Sequence, residues 1–144
     1  MKLSYHYLML LNQSAFQKQV YEHLEHLDMS IGQPKILDFL LDEDGCIQKK
    51  IAIGCQIEPA SVTSILAKME KEEYVRREQE GGNRRSLYVY LTPKGKEAAY
   101  EVRRVMEEIE EKALKELSKE ERELLLTLLK KANKGLLGSM FAGQ

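Results

Sequence analysis

Apolar residues recur every three or four positions along most of this 144-residue chain, which is the spacing of amphipathic helices. The first stripe predicts a helix over residues 3–27. Ser30 and Gln33 are spaced as a capping box, so a second helix is expected after them, ending near Gly45. A short third helix is predicted over Ile47–Gly54, with its apolar side turned inward.

A fourth helix is expected from Pro59, because the missing N–H of proline would be unpaired in a first helical turn. Its apolar stripe is Val62, Ile65, Leu66 and Met69, and the side chains off that stripe include Ser61, Thr63, Ser64 and Lys68. A short helix, a tight turn and a helix with small polar residues on its exposed first turns are typical of a helix-turn-helix. The residues leave open the alternative that this face is only solvated.

A β-hairpin is predicted directly after the fourth helix. Residues 74–79 and 86–91 form its strands, and the second strand alternates between aliphatic residues and tyrosines, as in a sheet packed on one side. Gly81–Asn83 mark the tip, because glycine and asparagine tolerate positive φ. A helix-turn-helix followed by a hairpin is a winged helix.

Four arginines belong to this hairpin. Arg84 and Arg85 follow the tip, where a guanidinium can enter the narrow minor groove of DNA. Arg76 and Arg77, on the first strand, are expected to contact phosphates. An isolated basic turn can also serve only to keep an edge strand soluble, but the preceding helix-turn-helix favours a role on DNA.

Two long helices are expected to complete the chain. Thr92 and Pro93 are suited to begin the first of them, which runs to about Leu117, and Ser118 with Glu121 forms a capping box for the second. The apolar stripes of the terminal helices exceed what a compact winged helix can cover. A homodimer is therefore predicted, and its twofold symmetry implies a palindromic DNA site.

Charge is unevenly distributed, although the net formal charge is only −1. Residues 1–45 carry three Lys/Arg against seven Asp/Glu, whereas residues 46–96 carry ten against six. One electropositive region on a near-neutral chain argues against a protein that coats nucleic acid everywhere. It suits a protein that meets DNA through one face.

Other classes of function find little support in the sequence. It has no G-x-S-x-G motif and no glycine loop for phosphate, so an enzyme is not expected and no cofactor is implied. The two cysteines, Cys46 and Cys55, do not form a disulfide framework and favour a reducing compartment. Neither a signal peptide nor a membrane span is recognised, so a cytoplasmic protein is expected.

The segment from Ser30 to Gly95 resembles the MarR family of winged-helix transcriptional regulators. The resemblance rests on the order and spacing of Gln33, Gln48, Ile51-Ala52, Ser61-Val62-Thr63, Arg76-Arg77, Arg84-Arg85 and Leu91-Thr92-x-x-Gly95. It implies a homodimer formed by the terminal helices, a palindromic operator, and repression relieved by a small ligand or by oxidation. Glu73 stands where a glycine commonly ends the recognition helix, so a different exit turn is expected.

The fold expected is therefore mainly α, a winged helix-turn-helix with a two-stranded hairpin wing flanked by dimerisation helices. Residues 1–144 form a single domain, in which residues 30–95 bind DNA and residues 1–29 and 96–144 dimerise. The predicted DNA contacts are Gln48, Lys49, Ser61, Thr63, Ser64, Lys68, Arg76, Arg77, Arg84 and Arg85. A winged-helix protein-interaction module without DNA binding is the alternative.

Three tyrosines, Tyr5, Tyr7 and Tyr21, are candidates to line a crevice for a small-molecule effector, or else are core or interface aromatics. His23 and His26 could supply part of a metal site, but no histidine follows them, so none is predicted. Whether Cys46 or Cys55 responds to oxidants is left open, with an inert thiol favoured.

Overall fold

The computed structural model describes residues 2–80 and 86–138, and this part of the chain contains six α-helices and a small antiparallel sheet. The helices are α1 (Tyr5–His23), α2 (Gln33–Glu43), α3 (Gln48–Cys55), α4 (Pro59–Lys71), α5 (Pro93–Ala113) and α6 (Lys119–Leu137). The strands are β1 (Cys46–Ile47), β2 (Val75–Gln79) and β3 (Leu87–Leu91). The mainly α winged helix-turn-helix is confirmed.

The sheet has the order β1-β3-β2, with β3 antiparallel to both neighbours. Val75 pairs with Leu91 and Gln79 with Leu87, so the two predicted strands pair, and the predicted tip at Gly81–Asn83 lies outside the described residues. β1 adds a third strand beyond the two expected, with Cys46 opposite Val89. A strand of two residues is too short to produce an alternating pattern that sequence reasoning could detect.

The chain divides into two compact units, Met1–Ile109 and Glu110–Gln144. In the first unit, α2, α3, α4, the sheet and the first part of α5 bury one apolar core. Its most deeply buried side chains include Ile36, Leu37, Leu40, Ile51, Leu66, Met69, Val89 and Val102. Each such side chain stabilises the fold by about 1.5–3 kcal/mol relative to an exposed position, before entropy is counted.

The start of α2 differs from the predicted capping box. Gly32 occupies the N-cap with φ of 94°, and a Cβ on it would lie 2.7 Å from the end of the Ile65 side chain. Only half of the box forms. The Ser30 N–H donates to Gln33 Oε1 at 3.2 Å, but the Ser30 hydroxyl accepts from Lys68, and the Gln33 N–H donates to the Ser30 carbonyl instead. The buried Gln33 amide also donates to Glu72 Oε1 at 2.8 Å, so the start of α2 is fixed to the end of α4.

Helix ends follow the predicted caps in most other places. Thr92 Oγ1 accepts from the Gly95 N–H at 2.9 Å at the start of α5, and Ser118 with Glu121 forms a complete capping box for α6. Two helices are shorter than expected, since α1 stops at His23 before a 3₁₀ turn and α5 stops at Ala113.

The exit from α4 is a left-handed turn formed by Glu73 itself, with φ of 66°. Glu73 adopts the conformation that glycine adopts without steric cost, and the strain of a Cβ in that region is retained in the fold.

The second unit, by itself, exposes much of its apolar surface. None of residues 110–138 is buried, and Leu124, Leu126, Leu128 and Leu136 of α6 are each more than half exposed. Arg122 donates to both carboxylate oxygens of Glu111, at 2.9 and 3.0 Å, which ties the start of α6 to the end of α5. In the first unit, α1 buries only Val20 and likewise exposes leucines on its surface.

Candidate nucleic-acid interface

The exposed face of α4 carries the small polar side chains predicted to meet DNA. Ser61, Thr63, Ser64 and Lys68 are all exposed, while Val62, Leu66 and Met69 are buried. Thr63 Oγ1 donates to the Pro59 carbonyl at 3.2 Å and Ser64 Oγ to the Ala60 carbonyl at 3.3 Å. Because each hydroxyl proton is used within the helix, each oxygen is left to accept a hydrogen bond from outside.

An open groove of about 600 Å³ runs beside the first half of α4. Its lining is Ile31, Gly32, Lys35, Gln56, Ile57, Ala60, Ser61, Ser64 and Ile65. Lys68 lies at the same side of the helix and donates to the Ser30 hydroxyl. Sequence reasoning identified Ser61 and Ser64 here but missed the isoleucines, which come from three separate segments.

Gln48 and Lys49 occupy the first positions of α3, beside α4. Lys49 is exposed, as predicted, whereas Gln48 is half-buried. The Gln48 amide nitrogen lies 3.4 Å from Thr63 Oγ1, which brings the start of α3 to the exposed face of α4.

The two arginines of β2 point to opposite sides of the strand. Arg76 is 52% exposed, with its guanidinium 4.4 Å from the centre of the Tyr90 ring and paired with Glu78. Arg77 is only 16% exposed and donates to Gln48 Oε1 at 3.0 Å and to Glu70 Oε1 at 3.3 Å. The sequence predicted a phosphate contact for both, but the structure leaves only Arg76 on the open surface.

The described strand pairing ends at Gln79 and Leu87. Arg84 and Arg85, predicted to enter the minor groove, lie outside the described residues. Glu80, just before that segment, accepts a hydrogen bond from the Tyr90 hydroxyl, which raises the pKa of the tyrosine.

The structure separates the three candidate ligand tyrosines. Tyr21 accepts from the Gly32 N–H at 2.9 Å and has a raised pKa, chiefly because burial disfavours the phenolate. It lines a cavity of about 140 Å³ together with Gln13, Phe16, Gln17, Val20, Pro34, Lys35 and Met106. Tyr5, which is exposed, and Tyr7, which is half-buried, do not line it.

Neither thiol has the low pKa of a reactive cysteine. Burial raises the pKa of Cys55 to about 11, and it also raises the pKa of Cys46. The Cys55 thiol donates to the Lys35 carbonyl at 3.6 Å. Because the thiolate is the reactive form, these surroundings favour an inert role for both cysteines.

The histidines of the first unit have protein partners. His23 Nδ1 lies 2.7 Å from the Gln19 carbonyl, and His26 Nε2 lies 2.5 Å from Glu101 Oε1. Within residues 2–80 and 86–138, no three His, Cys, Asp or Glu side chains are grouped to hold a metal ion. In the same ranges, no helix has the length and apolar character needed to cross a membrane.

Comparison with known proteins relates this geometry to transcriptional regulators. The family model described as "MarR family" matches residues 29–87. The transcriptional regulator HosA of Escherichia coli O127:H6 is 28% identical over 104 residues, which span 72% of this chain and 77% of HosA. The HTH-type transcriptional regulator BilQ of Clostridium symbiosum is 23% identical over 111 residues, or 77% of each chain.

Solved structures give the same fold. The MepR–DNA complex of S. aureus superposes with a TM-score of 0.82 at 25% identity, covering 94% of this chain and 99% of MepR. A Listeria monocytogenes structure described as a putative MarR family transcriptional regulator with a 26mer DNA gives a TM-score of 0.85 at 21% identity. That match covers 97% of this chain and 93% of the Listeria chain.

Proposed function

Because the chain belongs to the MarR family of transcriptional regulators, we propose that it is a dimeric repressor that binds a palindromic operator and is released by a small ligand. The observation that carries the proposal is the exposed face of α4. Ser61, Thr63 and Ser64 present hydroxyl oxygens there, and no bulky side chain among them would hold the helix away from the bases.

The surroundings of α4 support contact with the DNA backbone. Lys49 at the start of α3 and Arg76 on the wing strand β2 are exposed cations suited to contact phosphates. Arg84 and Arg85 are proposed to enter the adjacent minor groove. The MepR and Listeria proteins, which share this fold, have been solved with DNA.

A second copy of the chain is the proposed partner of the terminal helices. The exposed leucines of α1 and α6 form apolar surfaces that are costly to leave in water, and a homodimer would cover them. Two recognition helices related by a twofold axis would then read two half-sites about one DNA turn apart.

The cavity beside Tyr21 is the proposed site of a small effector. At about 140 Å³ it accepts only a compact molecule, and its lining is apolar apart from Gln13, Gln17, Tyr21 and Lys35. A ligand that enlarged it would press on α1 and on Pro34 of α2, and so could alter the spacing of the two recognition helices.

A protein-interaction module without DNA binding is the second candidate. Arg77 is neutralised by Glu70, Arg76 by Glu78 and Lys50 by Glu43, which reduces the positive charge offered to DNA. A positive result in DNA selection would reject this candidate.

Selection of bound fragments from random duplex DNA tests the proposed function. We expect the wild-type chain to enrich a palindrome, and Ser64→Glu to abolish enrichment because a carboxylate would face the phosphates. Ser64→Thr, which keeps the hydroxyl and adds no charge, is the matched control and should enrich the same palindrome. Failure of the wild-type chain to enrich any sequence would contradict the proposal.

A further inference from the structure

One continuous chain of hydrogen bonds connects the wing strand to both helices of the helix-turn-helix. Arg77 on β2 donates to Glu70 near the end of α4 and to Gln48 at the start of α3. Gln48 in turn donates to Thr63 in the second turn of α4. The Arg77 backbone N–H adds a further bond to Glu70 Oε2, at 3.1 Å. The guanidinium therefore contacts two of the elements that would meet DNA while belonging to a third.

The donor from Arg77 determines which way the Gln48 amide faces. A guanidinium has only donors, so it can bond to the amide oxygen of Gln48 but not to the amide nitrogen. With the oxygen fixed at 3.0 Å from Arg77, the NH₂ group must turn toward Thr63 and the exposed face of α4.

The NH₂ group of Gln48 has two hydrogens, and the described residues give it one acceptor, Thr63 Oγ1 at 3.4 Å. Among residues 2–80 and 86–138 its second hydrogen has no acceptor, so it is available to a group of the DNA. Since the exposed face of α4 lies beside it, the acceptor would be a phosphate oxygen or a base acceptor such as guanine O6 or N7.

We propose that Arg77 is a positioning residue that directs the Gln48 amide N–H at an acceptor on DNA and holds the wing strand against α3 and α4. This inference rests on the proposed function, because it assigns roles within the same DNA interface. It gives Arg77 a different role from Arg76, whose exposed guanidinium suits a direct phosphate contact.

Removal of one carboxylate gives the sharpest test, because the two roles predict opposite signs. If Arg77 touched phosphate, Glu70→Gln would free its charge and remove a repelling acid, so operator affinity would rise. If Arg77 is a positioning residue, Glu70→Gln weakens its anchor, and we expect affinity to fall about threefold. Glu78→Gln is the matched control, because Glu78 pairs with Arg76 and is exposed to a similar extent (47% against 42% for Glu70). It should leave affinity unchanged or raise it.

Lysine substitutions distinguish the two arginines. Lysine retains a charge for phosphate but lacks the planar fork whose two nitrogens donate separately to Gln48 and Glu70. We therefore expect Arg77→Lys to weaken operator binding about tenfold, the effect of losing one charge-assisted hydrogen bond, and Arg76→Lys to change it little. Thermal unfolding followed by circular dichroism identifies any variant that does not fold. If Arg77→Lys does not fold, the affinity of Glu70→Gln decides between the two roles of Arg77.

A double-mutant cycle supplies a readout that a purely structural role would not change. Gln48→Ala should weaken operator binding, and combining it with Arg77→Lys should cost little more than either substitution alone. Additive losses, wild-type affinity in Arg77→Lys, or tighter binding by Glu70→Gln would each overturn the inference. A wild-type chain that binds no duplex would instead overturn the proposed function itself.

Discussion

Arg103 donates two hydrogen bonds to the carboxylate of Asp42, one from Nη1 at 3.0 Å and one from Nη2 at 2.7 Å. The same guanidinium donates to the Asp38 side chain and to the Asp38 carbonyl, each at 2.9 Å. Because Arg103 lies on α5 and both acids lie on α2, this cluster joins the winged helix to the helix that continues toward the C-terminal unit. A bidentate pair of this kind fixes the relative orientation of its two side chains more closely than an ordinary surface ion pair does.

The first prediction concerns pH. The hydrogen bond from Arg103 lowers the pKa of Asp42 below its ordinary value. A carboxyl group whose pKa is lowered by folding contributes stability above its unfolded pKa and loses it as pH falls through the folded pKa. Asp42→Asn should therefore reduce the free energy of unfolding at neutral pH and have almost no effect in strong acid. Urea titrations at both pH values measure the difference.

Glu108→Gln is the control for this prediction, because Glu108 pairs with Arg104 on the exposed surface of α5. Its effect should be small at either pH. An equal loss of stability by Asp42→Asn at neutral and at acid pH would contradict the role given to its charge.

The second prediction concerns the start of α5. A Cβ on Gly95 would lie 1.8 Å from the Tyr74 carbonyl oxygen, a backbone atom that cannot move aside cheaply. Gly95→Ala should therefore destabilise the protein by about 3 kcal/mol. Gly135→Ala, in α6, is the matched control, because nothing lies within 4 Å of its added carbon. That change should stabilise its helix by up to about 1 kcal/mol. Thermal unfolding of both variants checks the pair, and similar midpoints would refute the account.

The third prediction concerns Glu73, which adopts the left-handed conformation at the end of α4. Glycine there removes the steric cost of the Cβ, so Glu73→Gly should raise the free energy of unfolding by about 1 kcal/mol. Glu73→Ala removes the charge but keeps the Cβ, and should give no such gain. Equal effects of the two substitutions in urea titrations would show that the side chain, and not the backbone, determines the cost.

The fourth prediction concerns the apolar surface of α6. Leu128 is 52% exposed, and a charge placed there should prevent a second copy from packing on this surface. Leu128→Glu is expected to sediment as a monomer at concentrations at which the wild-type chain is dimeric. Lys131→Glu, also on α6 and also exposed, should remain dimeric. A wild-type chain that is monomeric at every concentration would contradict the proposed dimer.

Much of the fold follows from local sequence patterns. The buried stripe of α4 and the caps at Thr92 and Ser118 were predictable because helix periodicity and capping involve residues at most four positions apart. The strand β1 was not predictable, because its two residues are defined only by pairing with β3. The capping role of Gly32 was missed because it follows from a positive φ that the sequence alone does not reveal.

The candidate interface was predictable in its residue types but not in its internal contacts. The exposed hydroxyls of α4 followed from their position off the apolar stripe. The contact of Arg77 with Gln48 did not, because the two residues are 29 positions apart in the sequence and only the tertiary fold brings them together. The alternation of a strand indicates that Arg76 and Arg77 face opposite sides, but it does not show which side holds a carboxylate.

The dependence of operator affinity on salt tests the central claim most directly. A winged helix that neutralises several phosphates releases their counterions, so its affinity for the selected palindrome should fall steeply and linearly on a logarithmic plot as salt rises. Lys49→Ala should reduce the slope by about one phosphate contact. Affinity that stays constant between low and high salt, or equal affinity for the palindrome and for a scrambled duplex, would contradict sequence-specific DNA binding.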